Sequence, residues 1–265
     1  TQNFYYAVAV SKLCRWLRLN YIPILHGGNL PMRLEQSPKL SRIIFKHAHI
    51  NVSPSLYLKK AFATVGYDNV IYVPNTLSIK AYPFKERRID AIKLLWVRSF
   101  SEIYNPLLAV KVLKSLIDKG LQAELCMVGP DSDGSMATVK QYADLHHLNV
   151  TFPGQLTKTE WIALSKPYNV FMNTTNFDNM PVSVIEAMAL GLPVVSTNVG
   201  GMPYLIANQK DGLLVEPNDV EQMVDAILEL YNNKVLAETI ASNARQKVEQ
   251  FDWAILKQQW FEVLS

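Results

Sequence analysis

Cysteine is scarce. The 265 residues hold only Cys14 and Cys126, far apart and each inside an apolar run. That excludes a disulfide-framed secreted scaffold and predicts buried free thiols in a reducing, cytoplasmic compartment. No apolar run approaches the ~18 residues that a spanning helix needs. Thr1 is followed at once by an amphipathic stretch without the layout of a signal peptide, so the chain is expected to begin inside a domain. No Gly-x-Gly-x-x-Gly follows a strand, which argues against a nicotinamide-dependent oxidoreductase. His47, His49, His146 and His147 lack metal-ligand spacing, and no metal is expected. Basic and aromatic residues do not alternate as they do on nucleic-acid-binding surfaces, so no nucleic-acid partner is expected. There is no internal repeat and no low-complexity segment.

What remains is a composition of 49% hydrophobic and 18% charged residues, ordinary for a soluble protein of one large or two smaller domains. The net charge of +3 hides an asymmetry: residues 1–90 carry +9 and residues 91–265 carry −6. A basic first part can steer an anionic acceptor or rest peripherally on an anionic membrane face. In the helix expected over Phe4–Leu19, Lys12, Arg15 and Arg18 punctuate apolar positions, a pattern compatible with lying on lipid and equally with packing inside the protein.

Strand-length apolar runs alternate with helical patterns. From Ile92 the runs are Ile92–Val97, Ala123–Val128, Val150–Phe152, Asn169–Met172, Pro193–Ser196 and Gly212–Val215. Amphipathic stretches such as Asn105–Lys119 and Ser135–His147 lie between them. Continuous apolar strands separated by helices predict an α/β fold with a doubly wound parallel sheet covered on both faces. Thr157 with Glu160 predicts a capping box, and Asn218 with Glu221 a second helix start. The first 88 residues read as about half of a similar unit, with strands at Ile22–Leu25, Ile50–Val52 and Val70–Val73. The expected division is therefore 1–88, a partial doubly wound domain; 89–250, a complete one; and 251–265, a closing helix. Three strands leave an edge that should want a partner.

The segment Asn173–Thr197 is the most informative. Pro181 suits a first helical position, Gly191 a helix end, and Pro193 blocks continuation. The loop Phe177–Met180 thus empties onto a helix N-terminus whose free amides favour phosphate. Glu186, more than a turn further on, is an acceptor-only carboxylate that can take two ribose hydroxyls. Phosphate donors beside such an acid indicate a nucleotide-sugar site. Arg98, just past the strand Ile92–Val97, stands at the carboxyl edge where open parallel sheets bind ligands. Its planar fork matches phosphate oxygens.

The pattern of Asp178, seven residues, Glu186, then Ala-Met-Ala-Leu-Gly-Leu-Pro-Val resembles the signature of the family 4 glycosyltransferases, retaining enzymes of the GT-B fold. The likeness continues through Asn198-Val-Gly-Gly-Met-Pro203 and Asp211-Gly-Leu-Leu-Val-Glu-Pro217. Val73-Pro-Asn-Thr-Leu77 resembles the family's interdomain linker. The resemblance implies a GT-B-like protein lacking the first part of its N-terminal domain, with residues 1–88 a partial Rossmann-like acceptor-side domain, 89–250 the nucleotide-sugar-binding domain and 251–265 a helix crossing back to the first. It implies transfer of a sugar from a UDP- or GDP-sugar to a hydroxyl of a glycan or lipid-linked acceptor, without metal or other cofactor. It places Arg98 on the diphosphate, Asp178 on the transferred sugar and His26 on the acceptor side. Glu186 falls on the ribose, the backbone of Met180, Pro181 and Val182 on phosphate or sugar, Ser183 beside them, and the loop of Gly154 beside the base.

Gly129 opens the turn Gly129–Gly134, read mainly as a turn that shapes the cleft floor or caps the next helix. Ile103 stands where the family has a lysine, and Tyr204 where it commonly has an acid. These departures keep a second expectation in view: a nucleotide-sugar-binding homologue with impaired catalysis that needs its missing N-terminal part.

Overall fold

A computed structural model describes residues 2–265. Its larger part is a parallel sheet of six strands: β3 (Ile92–Val97), β4 (Ala123–Val128), β5 (Val150–Gly154), β6 (Val170–Asn173), β7 (Val194–Thr197) and β8 (Leu213–Val215). They lie in the order β5-β4-β3-β6-β7-β8, the dinucleotide-fold order in which chain progression reverses at the pair β3/β6. The smaller part contributes β1 (Asn51–Ser53) and β2 (Val70–Tyr72), paired in parallel. Helices α1 (Gln2–Trp16), α2 (Leu30–Gln36), α3 (Pro38–Phe45) and α4 (Leu56–Thr64) surround that pair. Around the large sheet run α5 (Pro106–Asp118), α6 (Ser135–Leu145), α7 (Lys158–Leu164), α8 (Val182–Ala189), α9 (Met202–Leu205), α10 (Val220–Asn232) and α11 (Lys234–Glu249), with α12 (Trp253–Leu264) closing the chain.

Period-two alternation explains why the strands read as unbroken apolar runs. Leu94 and Trp96 join one core with Leu113, Met172 and Ile227, while Leu95 joins the opposite core with Phe171, Ile185 and Leu192. The central strands are covered on both faces, so their apolar residues run together, and the charged Lys93 and Glu124 pair with each other across β3 and β4 at 3.1 Å. The bounds of β3 and β4 coincide with the expected ones. The capping box at α7 is present, with Thr157 Oγ1 and Glu160 exchanging bonds with each other's amides.

Several expectations need correction. The segment Ile22–Leu25 is not a full strand: Ile24 makes a single bridge to Val52, and the amides of Leu25 and Val52 donate to Val52 and Pro23 at 2.8 and 2.9 Å. Pro23 has no N–H to extend the ladder. Helix α1 stops at Trp16, short of Leu19, and Arg18 turns left-handed with φ 56°. Pro181 is the cap of α8, not its first turn, because its ψ of 123° is extended. Asp219, not Asn218, caps α10 by accepting from the Gln222 amide at 2.9 Å. Cys126 is buried as expected, but Cys14 is partly exposed.

Helix α12 packs Val263 against Val52 and Val73, with Trp260 alongside. A bridge between Leu77 and Asp252 pins its start to the connecting segment. Both parts thus share one C-terminal clasp, and the carboxyl edge of the large sheet faces the small part.

Candidate active-site cleft

The reversal of strand order at β3/β6 opens a crevice, and both strands end there on polar loops. Arg98 leaves β3, its amide held by the Val128 carbonyl at 3.0 Å. Thr174 to Asp178 leave β6. Trp96, fully buried in β3, donates its indole N–H to Thr174 Oγ1 at 3.0 Å, and that hydroxyl donates to the Tyr104 carbonyl at 2.8 Å. This relay fastens the turn Glu102–Tyr104 over the sheet edge. It lays the Tyr104 ring 4.0 Å from the Arg98 guanidinium carbon, a cation–π contact in a partly dry place. Burial pushes the Arg98 pKa down, and the neighbouring Tyr104 pushes it back up. An arginine stays charged under such shifts.

Arg98 pairs with Asp178, and both side chains are mostly buried. The two residues expected on diphosphate and sugar therefore hold each other across the crevice. Asp178 Oδ1 also accepts the Asn179 amide at 2.8 Å. Two glycines make the loop's position possible. A Cβ on Gly200 or Gly201 would run into the carbonyls of Asp178 and Asn179, and the Gly201 amide donates to the Asp178 carbonyl at 3.0 Å.

The same loop knots the two parts together. Asn179 bonds Ser55 and donates to the Leu25 carbonyl, while Asn75 donates to the Met180 carbonyl at 2.8 Å. Between the parts lies a cleft of about 360 Å³ with His26, Asn29 and Arg33 on one wall and Tyr104, Phe177 and Asp178 on the other. It brings His26 and Asp178 together, with Arg98 behind the Tyr104 ring. Gly28 lies against the Phe177 ring, so its bareness serves contact between the two parts.

Glu186 sits apart, on the second turn of α8. Its side chain is 6% exposed; Oε1 accepts from Tyr82 Oη at 2.6 Å and forms an ion pair with Lys158 Nζ at 3.0 Å. Burial, then the bond to Glu186, raises the Tyr82 pKa far above its usual value. Lys158 opens α7, just past Gly154. Gly154 accepts the Gly129 amide at 2.9 Å, so these two glycines join the ends of β4 and β5 behind Arg98. Met180 and Pro181 are buried, Val182 is exposed, and Ser183 Oγ is buried without a partner. The Gly129–Gly134 turn is a capping turn, with Asp133 accepting the Glu102 and Ser135 amides at 2.8 and 3.2 Å. Tyr204 rests 6.0 Å from the Tyr57 ring, across to the small part. Among the described residues, no group of three His, Cys, Asp or Glu is placed to hold a metal.

Sequence reasoning missed Tyr82, Asn75, Ser55, Tyr104 and Lys158. Asn75 lay inside the linker motif and Tyr104 beside the noted Ile103, which were usable signals. Tyr82 lies 104 positions from its partner, and no local pattern encodes that.

Residues 79–247 match the family model of glycosyl transferases group 1. Sulfoquinovosyl transferase SQD2 of Arabidopsis thaliana is 32% identical over 152 residues, 55% of this chain and 28% of that protein. The Escherichia coli UDP-Gal:alpha-D-GlcNAc-diphosphoundecaprenol alpha-1,3-galactosyltransferase is 27% identical over 150 residues, 54% of this chain and 37% of that one. The chain thus spans well under half the length of these relatives. A solved structure of Anabaena Alr3699/HepE in complex with UDP and glucose superposes with a TM-score of 0.85 at 19% identity, over 98% of this chain and 75% of that one. A GT-B architecture with that strand order, and a family match spanning the crevice and α8, lead to one assignment: this chain belongs to the glycosyl transferases group 1 family.

Proposed function

We propose that the chain binds a nucleotide-diphosphate sugar and serves its transfer, with retained anomeric configuration, to a hydroxyl of a glycan or lipid-linked acceptor. The observation that carries this reading is the meeting of Arg98, Asp178 and the amino end of α8 at the β3/β6 crevice. Free amides at a helix start and a guanidinium fork are the donors a diphosphate wants. Glu186 stands beside Lys158 and so beside the loop from Gly154, which supports a nucleoside subsite of ribose on Glu186 and base on that loop. The name of the Escherichia coli relative favours a uridine donor.

The chemistry is electrostatic. The bond from the anomeric carbon to the leaving phosphate oxygen breaks while the acceptor oxygen bonds to that carbon on the same face. The acceptor's proton passes to the leaving phosphate. Arg98 and the α8 amides stabilise the departing charge, and the loss of one such donor in a dry site costs about 3–4 kcal/mol. No step calls on a metal. Asp178 turns from Arg98 to the sugar hydroxyls, and His26 lines the acceptor wall. The exposed Tyr6, Leu13 and Trp16 of α1, with Lys12 and Arg15 among them, support peripheral contact with an anionic membrane on its cytoplasmic side. No helix among the described residues is long and apolar enough to cross a membrane.

Ile103 in place of a cation favours a second reading, a chain that binds the donor but turns it over poorly or only with further N-terminal structure. Thermal-shift screening against UDP, GDP and their sugars, followed by donor hydrolysis and transfer assays, tests both. A melting-point rise with one nucleotide is expected. Binding without turnover selects the second reading, and no shift with any of them contradicts both.

A further inference from the structure

Glu186 is the one expected ligand-binding residue whose carboxylate is already engaged by donors from two other elements. Both donors meet the same oxygen. Oε1 accepts a hydrogen bond from Tyr82 at 2.6 Å, and the Lys158 ammonium forms an ion pair with it at 3.0 Å, leaving Oε2 with acceptor capacity. The two donors differ in freedom. Tyr82 is 2% exposed, and its carbonyl is gripped by Arg245, which also holds the Ala189 carbonyl of α8 itself. Tyr82 and Glu186 are thereby tied to one helix. With its pKa raised by burial, the phenol stays a donor throughout the neutral range. The Lys158 side chain is 62% exposed and opens a helix. A cation is unfavourable at that end, so its attachment to Glu186 is an exchangeable one.

We propose that Tyr82 and Lys158 are positioning residues for Glu186: Tyr82 fixes the carboxylate to face a nucleotide's pentose, and the paired Lys158 ammonium covers the acceptor position that one ribose hydroxyl takes over. This rests on the nucleotide-sugar reading above and deepens it, since it makes the site selective for ribonucleotides. Two ribose hydroxyls need two acceptor positions, which Glu186 offers once Lys158 has swung away and Tyr82 keeps the group in place. A 2′-deoxynucleotide needs only one.

The test compares UDP with 2′-deoxy-UDP, and GDP with 2′-deoxy-GDP, by calorimetric titration of the whole chain. Wild type should prefer the ribonucleotide by about tenfold or more, the scale of one hydrogen bond to a charged group. Tyr82→Phe keeps the buried ring and should lose most of that preference through weaker ribonucleotide binding, with deoxynucleotide affinity nearly unchanged. A merely structural role for Tyr82 would weaken both alike. Lys158→Ala, at an exposed position, should keep or enlarge the preference, and this arm stands even if Tyr82→Phe folds poorly. An unaltered preference in folded Tyr82→Phe, or a lost one in Lys158→Ala, overturns the proposal while leaving donor binding intact. Failure of wild type to bind either nucleotide overturns the nucleotide-sugar reading itself, and this proposal with it.

Discussion

The two parts of the molecule are built from similar pieces to very different degrees of completion. The large part has six parallel strands with an apolar core on each face of the sheet. The small part has two short strands and one bridged segment, and α1 exposes Tyr6 by 69% and Trp16 by 78%. The first is acidic and the second basic. A core closed on both faces lets the large part hold polar groups in costly places at its edge, such as the Arg98–Asp178 pair and the orphaned Ser183 hydroxyl. The small part contributes walls: His26, Arg33, Ser55 and Asn75. A rigid polar edge sits on one side and a basic, less enclosed surface on the other, the division on which the proposed donor and acceptor roles rest.

The largest effect expected from breaking this arrangement is at Arg98. Arg98→Ala should slow sugar transfer by about a hundredfold or more, the scale of one lost charge-stabilising donor, with a smaller change in donor affinity. Melting curves should show destabilisation too, since removing one partner of a buried pair costs about 3–5 kcal/mol. Next comes the knot. Asn179→Ala removes the bonds to Ser55 and the Leu25 carbonyl and should lower stability by about 1–3 kcal/mol. It should also let the small part melt ahead of the large one in a calorimetric scan; a single unshifted transition would show that the parts are coupled some other way. A milder effect belongs to Tyr104. Tyr104→Ala removes the ring over Arg98 and should reduce turnover by about three- to thirtyfold, a cation–π contact of about 0.5–2 kcal/mol. Tyr104→Phe keeps the ring and should retain most of the activity.

The smallest is a pH effect confined to the large part. The Asp133 carboxyl is held down at about 2 by hydrogen bonding, first to the Glu102 amide and then to the Ser135 side chain. A depressed carboxyl contributes stability above its unfolded pKa of about 4 and loses it as pH falls through the folded value. Asp133→Asn should therefore flatten the decline in melting temperature between about pH 4 and pH 2. An identical decline in both proteins would remove Asp133 from the account.

How much was legible in sequence follows the same division. Strands β3 and β4 announce themselves because cover on both faces makes all but one residue of each, Lys93 and Glu124, apolar. The capping box at Thr157 and the loop onto α8 are local chemistry, readable within a few residues. Ile22–Leu25 failed because apolar character alone does not show that Pro23 lacks the donor a ladder needs. Pro181 was misplaced by one residue, because the same ring fits both a cap and a first turn. The arrangement around Glu186 was invisible, since Tyr82 and Lys158 reach it through the fold. The Arg98–Asp178 pair was half visible: each residue could be placed at the edge, but not in the grip of the other.

The central claim is that a nucleoside diphosphate sits at the β3/β6 crevice with its pentose on Glu186. Titration calorimetry of UDP and GDP into wild type and Glu186→Ala tests it most directly. The account predicts that wild type binds one of them and that the variant binds it at least about tenfold more weakly. Equal affinities in a folded variant would contradict it.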